Sequence, residues 1–357
     1  MKNILKTTVL LIISAIIISC NPEKTTEATT KTHQPNIILL IGDGMGLSEL
    51  SAAYYYGNSK SNFSRFNEIG LINTSSAKHK ITDSGAGGTA FSCGVKTYNG
   101  AVGVNVDSIP VLNIAEIISK KNYNTGVIST SAITHATPAC FFSHVVNRGM
   151  QDDIAKQLAN SDIDFFAGGG MKYFTNRKDS FNLIQELANK GFIINSSNGI
   201  ENIDTKYGFI LAEGGMPTIL ENRGDFLPDY TKLALDYFSK SEEPFFLMVE
   251  GSQIDWAGHD NNADYLIAEL LDFDKTVGVA MNFAEKNKNT LVIVLADHET
   301  GGFTLAANGN DYNTIAPTFA TGGHSTTLIP VLAYGPGAEN FKGIYQNNEI
   351  FSKMLMT

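Results

Sequence analysis

Five short runs dominated by apolar residues punctuate the chain, each ending at glycine or a polar residue: Asn36 to Ile41, Thr125 to Ser129, Phe245 to Val249, Leu291 to Ala296 and Ile329 to Tyr334. Runs of this length, bounded by turn residues and lacking polar alternation, are the pattern of strands covered on both faces. Between them apolar residues recur at intervals of three and four, which predicts amphipathic helices over Asp152 to Asn160, Ser180 to Lys190, Asp229 to Lys240 and Ala263 to Glu285. Strands alternating with helices predict an α/β fold, a largely parallel central sheet with helices on both faces. Ligands of such a sheet sit beyond the carboxyl ends of its strands. The residues that follow the runs are therefore the ones to read for chemistry.

The amino terminus departs from this pattern. Lys2 and Lys6 precede an apolar run, Val9 to Ile18, that is too short for a comfortable membrane span and has the shape of a signal peptide, here residues 1–20. Ile17-Ile18-Ser19-Cys20 resembles the lipobox of bacterial lipoproteins, which makes Cys20 a candidate lipid anchor, with plain secretory cleavage as the alternative. The expectation is export, to the periplasm or to a membrane through lipidated Cys20, otherwise secretion. Residues 21–34, rich in Thr, Lys and Glu, read as a flexible tether, and 35–357 as a single domain, since no repeat or linker divides them. Acidic residues outnumber basic ones, 36 to 26, which argues against nucleic acid or anionic lipid as a partner surface. With Cys20 outside the fold, Cys93 and Cys140 remain, either as a disulfide or as two buried thiols.

Candidate chemistry begins at Thr82-Asp83-Ser84-Gly85-Ala86-Gly87-Gly88-Thr89-Ala90. Asp83 and Ser84 are N-cap types, so the Ser84 hydroxyl falls at a helix start, where free N–H groups favour an alkoxide or a phosphoryl group. Gly85, Gly87 and Gly88 each cost a helix about 1 kcal/mol against alanine, so close packing or an approaching ligand must select them. Asp43, Glu250, Asp297 and His298 stand just beyond three of the apolar runs. Carboxylates buried together are costly, and a shared cation is the usual remedy. Asp255 and His259 are four apart, on one face of a helical turn, able to hold one ion. His259, His298 and His324 lie beside small or acidic residues in loop-like sequence, which suits neutral imidazole ligands. Pro138 marks a helix start with Thr137 near its cap, and Arg148, three turns on, is an arginine in a chain whose basic residues are mostly lysine. A guanidinium offers the paired donors that a phosphate oxyanion requires.

Taken in order, Gly42-Asp43-Gly44-Met45-Gly46, Thr82-Asp83-Ser84 with Gly94-Val95-Lys96-Thr97-Tyr98-Asn99-Gly100, His135-Ala136-Thr137-Pro138-Ala139, Val249-Glu250-Gly251, Ala296-Asp297-His298-Glu299-Thr300-Gly301-Gly302 and Gly323-His324 resemble the motifs of alkaline phosphatases. The resemblance implies two zinc ions and one magnesium per chain. Asp255, His259 and His324 would hold the first zinc; Asp43, Asp297 and His298 would hold the second, with Ser84 oxygen completing it. Glu250, Thr137 and Asp43 would hold the magnesium. Arg148, beside Asp83, would clamp phosphate, and phosphate monoesters of many leaving groups would be hydrolysed through a phosphoserine on Ser84. Two positions depart from some members: His135 stands where they carry aspartate, and Trp256 where they carry lysine. Both belong next to the ligands, and His135 could bond to water on the magnesium or compete as a nitrogen ligand, which leaves the third ion open. The short interval from His298 to His324 leaves room for only a minimal crown insertion, so monomer and homodimer both stay open. The alternatives are a two-metal phosphodiesterase of the same superfamily and a non-catalytic, exported metal- or phosphate-binding protein.

Overall fold

In the computed structural model, which describes residues 34–196, 200 and 202–357, the first apolar run forms β1 (Asn36–Gly42) at the centre of a ten-stranded sheet. The others in chain order are β2 (Glu68–Asn73), β3 (Asn124–Ala132), β4 (Phe165–Gly169), β5 (Phe192–Ile194), β6 (Lys206–Ile210), β7 (Phe245–Gly251) and β8 (Thr290–Leu295). Two small antiparallel ladders come next, formed by β9 (Glu299–Thr300), β10 (Thr304–Asn308), β11 (Asp311–Thr318) and β12 (His324–Ser325). Last are β13 (Ile329–Tyr334) and β14 (Gly343–Gln346). The sheet runs β14-β2-β13-β8-β1-β7-β3-β4-β6-β5.

From β8 to β5 every pairing is parallel, while β13 pairs antiparallel with both β8 and β2. The fifth predicted run is thus the strand that runs against the others. It follows the β9–β12 ladders instead of a crossover helix, and so enters the sheet from the opposite end. Ile37 to Ile41 are at most 2% exposed, and since alternate residues point to opposite faces, both faces are covered. Helices Leu47–Tyr56 and Phe226–Phe238 pack on the long helix Ala263–Lys286, while Ile114–Ile118, Ala136–Ala139 and Glu349–Leu355 gather around Ser84–Cys93.

The predicted helices appear with shifted ends. The third begins at Phe226, because Pro228 is tolerated in a first turn, and the second shrinks to Leu183–Asn189 behind an Asn182 cap. At Pro138 the helix is a single turn, Ala136–Ala139, so Arg148 does not lie three turns along it. A loop carries it instead, with its amide donating to Gly100 O at 2.7 Å. Cys93 and Cys140 are free, buried thiols. The signal-peptide segment, Cys20 and all but the last residue of the tether lie outside the described residues.

Candidate active site

Asp83 caps the helix Ser84–Cys93: its Oδ1 accepts from the amides of Ala86 and Gly100, each at 3.0 Å. Its Oδ2 meets Arg148 Nη1 at 2.9 Å. The whole helix is buried, and close packing is what its glycines serve. A Cβ on Gly87 would lie 2.8 Å from the Cβ of Asp297, and one on Gly85 2.7 Å from Ala101 O. On the far side, Gly44, held at φ +75, turns the chain after β1 so that Asp43 faces inward; a Cβ there would strike the Asp255 backbone. Ser84 Oγ ends 3.4 Å from His298 Nε2.

The hydrogen bonds of the three histidines fix what each presents. His259 Nδ1 lies 2.8 Å from Gly322 O and His324 Nδ1 2.8 Å from Thr82 O. A carbonyl only accepts, so each Nδ1 carries the proton and each Nε2 a lone pair. Those two Nε2 atoms face one another at 3.1 Å, and Asp255 Oδ1 stands 3.4 and 3.5 Å from them. Three electron-rich atoms aimed at one point repel unless a cation lies among them. His298 repeats the device through a side chain. Thr300 Oγ1 donates to Asp255 Oδ1 at 2.5 Å and can therefore only accept from His298 Nδ1, at 3.1 Å. The His298 Nε2 lone pair then faces Asp297 Oδ2 at 3.3 Å and Asp43 Oδ1 at 3.5 Å. These sets, Asp255/His259/His324 and Asp43/Asp297/His298, each bring their ligand atoms within 4.8 Å of one another, and so does a third, Asp43/His135/Glu250.

Electrostatics points the same way. Burial, then the charges of Asp297, Asp255 and Glu250, push the Asp43 carboxyl well above its usual range. Burial likewise raises Glu250 to about 7, against hydrogen bonds from Ser129, Ser252 and Thr137. Asp43 Oδ1, Asp297 Oδ2 and Glu250 Oε1 are buried without a hydrogen-bond partner. Carboxylates raised by one another and left unpartnered are what divalent cations relieve. Two carboxylates differ: although burial pushes both up, Arg148 and two amides hold Asp83 low, so it stays ionised and fixes the guanidinium, and His324, His298 and Thr300 hold Asp255 low.

Every residue proposed from the sequence for catalysis, phosphate or metal lies at this end of the sheet. Thr137 Oγ1 reaches Asp43 Oδ2 at 3.5 Å, and the half-buried Trp256 meets His135 edge-on, ring centroids 5.9 Å apart. The geometry sets His135 nearer the third group than its sequence suggests, within ligand reach of Asp43 and Glu250, while its Nε2 also faces Arg148 Nη2 at 3.2 Å. Thr300, Ser129 and the carbonyls of Thr82 and Gly322 were not foreseen; Thr300 sits within a quoted motif, whereas a carbonyl's role leaves no trace in residue type. A cavity of about 510 Å³ opens at the opposite end of β1, β7 and β8, beside Asn36, Glu243, Pro244 and Asn289, and among the described residues no histidine or arginine lines it.

Comparison with known proteins bears on this arrangement. A family profile described as Alkaline phosphatase matches residues 34–320. Alkaline phosphatase 3 of Bacillus subtilis is 33% identical over 420 residues, covering 92% of this chain and 90% of its own. Among solved structures, the alkaline phosphatase of the Antarctic bacterium TAB5 superposes with a TM-score of 0.88 at 54% identity, over 90% of this chain and 98% of that one. A variant of the TAB5 enzyme with a histidine exchanged for aspartate, which has magnesium bound in its M3 site, aligns at 52% identity with a TM-score of 0.87, over 91% and 98% of the two chains.

Proposed function

The chain belongs to the alkaline phosphatase family, and on that premise we propose that it hydrolyses phosphate monoesters of many leaving groups through a phosphoserine on Ser84, releasing inorganic phosphate. Membership makes it a metal-dependent phosphatase and a phosphoric monoester hydrolase. Support for the finer reading comes from one observation above all: three histidine lone pairs and three unpartnered carboxylate oxygens gather in adjoining groups at one end of the sheet, and His298 Nε2 lies 3.4 Å from the buried Ser84 hydroxyl.

The donor sets suit the ions. Mixed imidazole and carboxylate sets, Asp255/His259/His324 and Asp43/Asp297/His298, fit zinc, while the oxygens of Asp43, Glu250 and Thr137 fit magnesium. When bound, such ions supply Lewis acidity that lowers the pKa of hydroxyl and water and offsets charge on the apical oxygens. The chain's own residues do the rest. Ser84 Oγ, at a helix start with unpaired amides, bonds to phosphorus as the ester oxygen departs on the opposite side. Arg148, aimed by Asp83, holds the equatorial oxygens with paired donors throughout. Water then attacks from the vacated side, the Ser84–phosphorus bond breaks, and phosphate leaves. These contacts grip the phosphoryl group and ignore what it is attached to, hence the broad range of leaving groups. On the strength of the Met1 to Cys20 segment we also assign the enzyme to the exported proteins, periplasmic or anchored at Cys20.

The test is hydrolysis of a chromogenic phosphate monoester and its matched diester by the purified protein, with and without chelator, alongside metal analysis. Chelator-sensitive monoester turnover far above diester turnover is expected, with about two zinc ions per chain. Ser84→Ala should retain metal and lose about 10³-fold or more in kcat. Preferred diester cleavage would move the chain to the phosphodiesterases, and bound metal without turnover would make it a binding protein.

A further inference from the structure

Where β3 and β7 end side by side, Ser129, Thr130, Ser131 and Ser252 are all buried, each 0% exposed. A buried hydroxyl is costly unless its hydrogen bonds are made, so the bonds in this cluster can be followed one by one. Ser129 and Glu250 are direct partners in the parallel β3–β7 ladder, and Ser129 Oγ lies 2.6 Å from Glu250 Oε2. Three further groups surround the same serine oxygen: Ser131 Oγ at 2.7 Å, Ser252 Oγ at 2.8 Å and the Ser131 amide at 2.9 Å.

Counting protons settles which way these bonds run. As a metal ligand Glu250 is a carboxylate and only accepts, so at 2.6 Å the single Ser129 proton must point to Oε2. The Ser131 amide only donates and takes one Ser129 lone pair. Ser131 Oγ gives its own proton to Ala132 O at 2.9 Å. The Ser252 hydroxyl turns either to Ser129 or to Glu250 and supports the carboxylate both ways; its backbone is fixed, since the Ser252 amide donates to Thr130 Oγ1 at 2.9 Å. With Oε2 engaged, the Glu250 oxygen left buried without a partner is Oε1. Glu250 is also the member of the Asp43/His135/Glu250 group that β7 contributes.

We propose that Ser129 is a positioning residue for the third ion: its hydroxyl holds the Glu250 carboxylate by Oε2 and so reserves Oε1 for the cation shared with Asp43. This role rests on the magnesium reading above and deepens it, because a residue that touches no ion then decides how tightly one is held. A carboxylate fixed before the ion arrives loses little freedom on binding it. With alanine at position 129 the buried Oε2 loses that donor, and the carboxylate meets the ion with its orientation unset.

The experiment titrates magnesium into zinc-loaded protein by calorimetry, for the parent, Ser129→Ala, Ser129→Cys and Ser131→Ala, with zinc content measured on each sample. Ser129→Ala should weaken magnesium binding by about ten- to a hundredfold while its zinc content stays that of the parent. Ser129→Cys, which keeps a weaker donor in the same place, should fall between the two and carries the test where the alanine variant does not fold. Ser131→Ala should bind magnesium within about threefold of the parent, because the hydroxyl it lacks serves Ala132 O. Unaltered magnesium affinity in the Ser129 variants overturns the role. An equal loss in Ser131→Ala overturns it too, since the cluster would then act through packing alone. Zinc-loaded parent that takes up no magnesium would instead sink the third-ion reading itself.

Discussion

His135 is placed to decide what ion the Asp43/His135/Glu250 group could hold. Burial, then the neighbouring Arg148, pushes its pKa down to about 4, so it is neutral wherever the enzyme works. A guanidinium only donates, so the contact from Arg148 Nη2 engages the Nε2 lone pair and leaves the proton on Nδ1, which is buried without a partner. In this tautomer the ring keeps an N–H on Nδ1 and its one lone pair is taken by Arg148, and it adds no charge to Asp43 and Glu250. His135→Asp should therefore tighten magnesium binding by about tenfold or more, since a hard cation prefers the added carboxylate, and should turn the Arg148 contact into an ion pair. Titrating magnesium into zinc-loaded parent and variant, followed by calorimetry, reads this directly; equal affinities would defeat it. The candidate ligand residues stood out in the sequence because carboxylates and histidines after buried strands are conspicuous. The tautomers were not, because they depend on the carbonyls of Gly322 and Thr82, groups every residue possesses, brought near by the fold.

At the scale of elements, the helix Ser84–Cys93 gives up propensity for proximity. Alanine at position 87 would favour the isolated helix by about 1 kcal/mol. In the protein its Cβ would lie 2.8 Å from the Cβ of Asp297, so the helix that carries Ser84 and the turn that carries Asp297 could not both keep their places. Gly87→Ala should lower kcat/KM by about 10²-fold, the scale of an ångström's misplacement, and reduce bound zinc while shifting the thermal midpoint only slightly. Unaltered kcat/KM and zinc content would show that the close approach is idle. The same contrast between local pattern and packing explains what the sequence revealed of the sheet. β1, β7 and β8 each carry five consecutive apolar residues and stand out as central strands, while β3 mixes Val127 and Ile128 with small polar residues that are buried all the same. β4 and β6, Phe165–Gly169 and Lys206–Ile210, are short and interrupted by glycine, and a Cβ on Gly208 would enter the Phe166 ring. Those glycines read as turns until the neighbouring aromatic ring is seen. β2 and the edge strand β14 lack the continuous buried run: Ile69 and Asn73 of β2 are exposed, and β14 is exposed apart from half-buried Tyr345.

Across the whole molecule, the site's charge is a load on the fold that ions should relieve. In the metal-free protein Asp43 lies well above its ordinary value and Glu250 at about 7, so the folded chain holds protons that the unfolded chain releases nearer pH 4. A raised carboxyl stabilises fully below the unfolded pKa, and the contribution is lost as pH rises through the folded one. Metal-free protein should therefore weaken between about pH 5 and pH 8, as these carboxyls are forced to ionise unpaired. With ions in place the same carboxylates are ionised and paired, and proton loss from the ligands strengthens binding as pH rises. Asp272, raised to about 6 by burial in spite of Arg223, titrates in both forms and cancels from the difference. The gap in thermal midpoint between loaded and chelated protein should widen with pH. It should reach about 10 °C by pH 8, the shift that about 4 kcal/mol of ligand linkage gives a chain of this size. Differential scanning calorimetry of both forms across that pH range would measure it. A gap that stays constant or narrows toward alkaline pH would mean that Asp43, Glu250 and Asp297 are partnered without metal, and that the converging lone pairs require no cation.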